Sequence, residues 1–369
     1  MEIMFPGWLG VGAVLAVAGV AAWVVQVRRG MGVTSLSNLR PWGSYIAGFV
    51  FFMGLSAGCL VLAGLPLVAD LPAIRPYAGL AALVALVSLV VGGLFILVDI
   101  GRPERVWRML RYGKLGSPMM WDLLLTVAYF VIGTALLVAL LVDAPSGVLT
   151  VLGVLAVAAG IADGVTAFVF ATQVAREFWL SAVQPMAFFA AALASAGALL
   201  QLLVLGLAPS GYVDLGLDDT EPLALTTAVC LGLGLLFLAS ELLTLGFSRR
   251  TEALRLVRAM LRSPMLAIEV ATGVVAIVLY LVPTTRGSTA GVVVASVLAL
   301  IHLAAKRVHF VESGLAVPNL DLRGVDLDRG RGGPALRRPV ELALSVGLVG
   351  AFVVLTGVGL TVMPLGVAG

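Results

Sequence analysis

Ten apolar runs divide this chain, and each is long enough to cross a hydrocarbon core about 30 Å thick as an α-helix. They cover approximately residues 8–27, 42–69, 76–98, 120–142, 148–170, 180–206, 222–247, 265–282, 288–310 and 340–362. Inside lipid every backbone N–H and C=O must be satisfied within the protein, which leaves helices or closed barrels. Continuous apolar runs lack the apolar–polar alternation of barrel strands, so the fold expected is an all-α polytopic membrane protein of about ten transmembrane helices. Composition agrees: 61% of the residues are hydrophobic, well above the 45–50% or so of soluble domains. No segment reads as a soluble catalytic domain. The start, MEIMFPGWLG, lacks a basic region before its apolar run and reads as a retained first helix, not a signal peptide.

The connections alternate in charge. The first, third, fifth, seventh and ninth hold 21 of the 23 Lys and Arg residues, and only Arg75 and Arg286 lie on the other side. That other side carries Asp70, Asp143, Asp214, Asp218, Asp219 and Glu221. The positive-inside rule then places the odd connections in the cytoplasm and both termini outside, in a multi-pass protein of the cell membrane. The third connection, VDIGRPERVWRMLRYGKLGSPMMWD, is the most charged for its length, with Arg102, Arg105, Arg108, Arg111 and Lys114 between Asp99 and Asp122. A net charge of +3 does not call for a nucleic-acid partner; membrane lipid is the expected surroundings.

Two passages resemble one another. LFILVD (Leu94 to Asp99) precedes a basic connection and then SPMMWD (Ser117 to Asp122); LFLASE (Leu236 to Glu241) precedes another and then SPMLAIE (Ser263 to Glu269). Each puts an acid near the cytoplasmic end of an inward helix and opens the next with Ser as N-cap and Pro at the first helical position. Their shared orientation implies a parallel repeat about the membrane normal. The expected organisation is an additional first helix and connection at 1–40, a four-helix bundle at 41–175, a second at 176–310, a linker at 311–339 and a last helix at 340–369.

Charge at the bilayer centre costs about 2.5–3.5 kcal/mol on insertion scales, so ionisable groups there face the protein interior and pair or carry function. Five acids lie in or at the ends of the apolar runs: Asp99, Asp122, Asp163, Glu241 and Glu269. Asp99, Asp163, Glu241 and Glu269 are the candidates for proton handling, with Arg102 and Arg105 as charge partners of Asp99; Asp122 suits the positive end of a helix. In the opposite half, Tyr77, Thr226 and Tyr280 offer hydrogen-bonding groups among apolar neighbours, as a quinone ring would need. His302 and His309 stand seven residues apart on one helix face, which argues against a bis-His haem, and His309 reads as interfacial. Trp23, Trp42, Trp107, Trp121 and Trp179 read as an aromatic belt. Cys59 and Cys230 occupy different runs, so no disulfide, metal site or iron–sulfur cluster is expected in this chain.

The run FFMGLSAGCLVL (Phe51 to Leu62), the loop DIGRPERVW and the helix start SPMMW resemble the NrfD/PsrC family, the membrane subunits of polysulfide reductase-like complexes. AREFW (Ala175 to Trp179) and QPMAFFAAAL (Gln184 to Leu193) extend the resemblance, which covers about residues 42–310. It departs at Asp122, where a small residue is expected, and at Asp163–Ala167, where many members carry a Tyr-Thr-Gly-like run. The resemblance implies two four-helix bundles, no haem, and quinone or menaquinone as bound substrate near the outer face. It implies electron exchange with a separate ferredoxin-like iron–sulfur subunit that feeds a catalytic subunit, often a molybdopterin enzyme. The competing classes are a proton- or ion-coupled secondary transporter, which would share repeats and buried acids, and a pure membrane anchor.

Overall fold

The computed structural model describes residues 6–36, 41–162, 170, 178–179, 181–248, 250–317 and 339–363. The described residues hold helices and no strand. In order they are α1 (Pro6–Arg29), α2 (Ser44–Val68), α3 (Ala78–Asp99), α4 (Val106–Tyr112), α5 (Pro118–Leu141), α6 (Ser146–Ala162), α7 (Gln184–Leu207), α8 (Glu221–Phe247), α9 (Thr251–Leu261), α10 (Pro264–Leu281), α11 (Thr289–Ala316) and α12 (Pro339–Val362), with a single turn at Pro283–Arg286. Among them nine are long and apolar enough to cross a membrane, and α6 is a shorter apolar helix. The chain is an all-α, multi-pass membrane protein.

Local sequence explains the helix starts. Ser263 is extended and its hydroxyl accepts from the Met265 amide at 3.2 Å, with Pro264 in the first turn. Ser117 and Pro118 open α5 with the same backbone, without the side-chain bond. Ser288 caps α11 by accepting from Gly291 N–H at 3.1 Å. Gly101, at φ +67°, lies in the left-handed region just beyond the end of α3.

The helices close into two rings. Around the first, α2 packs on α3 and α6, and α5 joins α3 to α6; around the second, α7 packs on α8 and α11, and α10 joins α8 to α11. Helix α2 also packs on α7 and α11, which joins the rings. Close approach there needs glycine: a Cβ at Gly58 would collide with the Ala192 carbonyl oxygen on α7. The outer pair, α1 and α12, cross at facing glycines, Gly19 on Gly347, and α12 lies on α3.

Two expectations about the elements change. The ninth predicted helix, 288–310, runs on to Ala316, and Lys306 and Arg307, which lie within 288–310 but are counted above with the charge of the ninth connection, are buried inside α11. Cations near the end of a span are ordinarily assigned to the adjoining connection, whereas here the fold supplies partners that hold them within the helix. The predicted sixth helix begins at Gln184 rather than near 180. The latter part of the predicted fifth helix, including Asp163, lies outside the described residues. At the end opposite the basic connections, Arg286 pairs with Glu221 at 2.8 Å and Tyr77 donates to the Asp219 carbonyl at 2.8 Å.

Candidate functional site

The second ring buries an acid–base cluster. Glu269, in the second turn of α10, is 1% exposed. Its Oε2 lies 2.8 Å from His309 Nδ1, its Oε1 3.8 Å from Lys306 Nζ, and its backbone oxygen 2.6 Å from His302 Nδ1. His302, Lys306 and His309 follow at four and three residues, so one face of α11 meets Glu269 over successive turns. Gly273, one turn further along α10, leaves space for the His302 ring: a Cβ there would fall 2.5 Å from Nδ1.

Glu241 on α8 adds a second carboxylate. It accepts from Gln184 Nε2 at 2.8 Å, at the start of α7. Lys306 lies in electrostatic range of both Glu241 and Glu269 and donates to the Gly234 carbonyl at 3.5 Å. Among the described residues, Glu241 Oε1 and His309 Nε2 are buried without a hydrogen-bond partner. Arg307 turns toward the first ring. Its guanidinium stacks over Phe188, 4.1 Å from the ring centroid, and a Cβ on Gly54 would lie 3.0 Å from Nη2. Two carboxylates, two imidazoles and one ammonium in apolar surroundings form a set that can take up and pass on protons.

A third buried acid does not stand out in the sequence. Glu341 on α12 is fully buried and accepts four hydrogen bonds: from Ser35 N–H (2.9 Å) and Oγ (2.7 Å), and from Ser44 N–H (3.2 Å) and Oγ (2.5 Å). Ser44 opens α2, so the carboxylate caps that helix from a distant one, at its positive end. The sequence signal is an acid in the first turn of an apolar helix. Beside it Gln26 donates to the Val98 carbonyl at 3.0 Å and accepts from Tyr45 at 2.6 Å.

The remaining sequence candidates scatter. Asp99 ends α3 near the Glu341 network, and its Oδ1 is buried without a hydrogen-bond partner among the described residues. Arg102 and Arg105 are exposed, and among the described residues no ion pair joins them to Asp99. Between them, Gly101 turns the chain out of the helix. Tyr77, Thr226 and Tyr280 do not converge. Tyr77 binds the Asp219 carbonyl, Thr226 is exposed on α8 and donates to the Pro222 carbonyl, and the fully buried Tyr280 pairs with Ser296 at 2.8 Å. Two aromatic or interfacial assignments are corrected. His309 is 2% exposed and bonded to Glu269, because the acid on α10 faces it. Trp179 is buried, donates to the Phe310 carbonyl at 3.1 Å and packs on Trp42 and Phe170, in space left by Gly314. A cleft at the same end is lined by Ser35, Trp42, Ala47, Val308, Val311 and Leu315 among others.

Fold and site together define a multi-pass membrane protein of two joined four-helix rings, with ionisable side chains buried toward the end that carries the basic connections. The family model described as "Polysulphide reductase, NrfD" matches residues 32–319, and the chain belongs to that family. Along 97% of its length it is 30% identical to a putative dimethyl sulfoxide reductase membrane subunit of Halobacterium salinarum, covering 91% of that protein. It is 31% identical to a selenate reductase subunit of Mesobacillus selenatarsenatis over 32% of this chain and 28% of that one. It is 28% identical to an Hdr-like menaquinol oxidoreductase integral membrane subunit of Archaeoglobus fulgidus, over 50% of this chain and 46% of the relative.

Proposed function

We propose that this chain is the quinol-interacting membrane anchor and electron-transfer subunit of a respiratory oxidoreductase complex in the cell membrane. The single observation that carries the reading is the buried Glu241–Lys306–Glu269–His309 cluster, an arrangement a pure anchor does not need. Oxidation of a quinol releases two electrons and two protons. In this reading the electrons pass to a ferredoxin-like iron–sulfur subunit, which exchanges them with a catalytic subunit, a molybdopterin enzyme as the family resemblance implies. Menaquinol is the quinol favoured by the name of the archaeal relative from Archaeoglobus.

The protons are the task of this chain's own side chains. Glu241, with one oxygen held by Gln184 and the other without a partner among the described residues, accepts a proton. Lys306 balances the carboxylate that stays charged, and Glu269 with His309 passes the proton on. Tyr77, Thr226 and Tyr280 each bond a different partner within the protein, and it is the proton-handling cluster that supports the reading. The basic connections face the cytoplasm and both termini lie outside, by the asymmetry of Lys and Arg. Asp163 stays a proton-handling candidate on sequence grounds alone.

The test is Glu241→Gln in the assembled complex in proteoliposomes. Quinol-dependent reduction of the partner's clusters is expected to slow about 100-fold, the scale of a lost general base, while the subunits still copurify. Unchanged turnover would remove Glu241 from the mechanism; a complex that reduces its clusters from quinol without this chain would make the chain an anchor only.

A further inference from the structure

The helix that follows α3 is dressed differently from the one that follows α8. Helix α9 buries Ala253, Leu256 and Met260 and packs against α8, α10 and α11. In and just after α4, Trp107, Tyr112 and Leu115 remain 63%, 70% and 64% exposed. Cations recur through this connection at three-residue intervals, from Arg102 to Lys114, against the single acid Glu104. On α4, Trp107, Arg108, Arg111 and Tyr112 fall within one arc of about 140° at 100° per residue. The exposed face therefore interleaves rings with guanidinium groups.

We infer that this face, formed by Trp107, Arg108, Arg111, Tyr112, Lys114 and Leu115, is a binding surface for anionic phospholipid headgroups. Its position keeps it close to the membrane surface. Residues 100–117 are held at both ends by membrane-spanning helices, α3 and α5, so the face lies within reach of the headgroups. Its chemistry fits what is there. Guanidinium groups bind phosphate oxygens in a fork, and Trp and Tyr settle where one side is apolar and the other wet. An acidic protein partner would satisfy the cations, but the exposed Trp107, Tyr112 and Leu115 match a lipid boundary.

The test uses the full chain with Gly116→Cys as the label site. A side chain there meets nothing within 4 Å, and Cys59 and Cys230 are buried, so a thiol-directed spin label reports on this connection. The labelled protein is placed in nanodiscs of phosphatidylglycerol and of phosphatidylcholine, and accessibility to oxygen and to an aqueous nickel chelate is compared. The label is expected at headgroup depth in phosphatidylglycerol and in water in phosphatidylcholine. The combined variant Arg108→Gln, Arg111→Gln, Lys114→Gln is expected to abolish the difference and to weaken phosphatidylglycerol retention, read by native mass spectrometry, roughly 100-fold. Equal nickel access in both lipids overturns the inference. Protection that arises only when partner subunits are added also overturns it and makes the face a protein-docking surface.

Discussion

Lys306 and Glu269 are close enough that neither should be removable alone. Across their 3.8 Å separation the Coulomb attraction is about 4 kcal/mol at an effective dielectric near 20. Removing one member of a buried pair leaves the other uncompensated and costs about 3–5 kcal/mol, whereas removing both leaves no unpaired charge. Lys306→Met and Glu269→Gln are each expected to destabilise the protein by about 3 kcal/mol. The double variant leaves no uncompensated charge but also forfeits the His309 and Gly234 contacts, so it should lose about as much as either single one rather than their sum, a coupling of about 3 kcal/mol. His309 moderates the Lys306→Met loss, since it still donates to Glu269 Oε2 at 2.8 Å. The assay is reversible unfolding in mixed micelles on titration with dodecyl sulfate, followed by circular dichroism for all four proteins of the cycle. A double variant whose loss equals the sum of the singles within about 0.5 kcal/mol would refute the pairing and, with it, the charge balance assigned to Lys306.

Two further outcomes follow from named contacts. Glu341→Ala takes the acceptor from the Ser35 and Ser44 amides and is expected to cost about 3 kcal/mol, with faster hydrogen exchange at residues 35–47; Glu341→Gln should restore roughly half. Unaltered exchange in the Ala variant would show that the cap is not needed. Gly58→Ala drives a methyl into the Ala192 carbonyl and should cost about 1–3 kcal/mol by parting α2 from α7, read as a lower thermal midpoint in detergent. An unchanged midpoint would mean that the two helices can separate freely.

Some of the site is legible in the chain itself. Glu241 and Glu269 stand out because an acid within an apolar run is costly wherever it lands, and that cost is a property of the segment. His302 and His309 can be placed on one helix face from their spacing alone, but not turned inward: only the position of Glu269 on α10 decides that. Lys306 and Arg307 fall inside the predicted run 288–310 but read as charge of the ninth connection, because cations near the end of a span ordinarily reach toward water. Arg307 in fact spends its charge over Phe188, a residue more than 100 positions away. Glu341 escapes a reading of the sequence because first-turn acids are ordinary, and its donors, Ser35 and Ser44, are some 300 residues distant along the chain.

By itself the sequence determined the helical class, the apolar spans, the polarity of their ends and the resemblance that the family match bears out. These follow from local terms: the cost of transferring each segment to lipid and the bias of Lys and Arg in short connections. Only the tertiary structure decided which ionisable groups meet, that α12 caps α2, and that Trp107 and Tyr112 of α4 are left exposed while α9 buries one face. Those outcomes depend on which helices pack against one another, and in a chain whose helices are apolar on nearly every face, periodicity does not choose the neighbours.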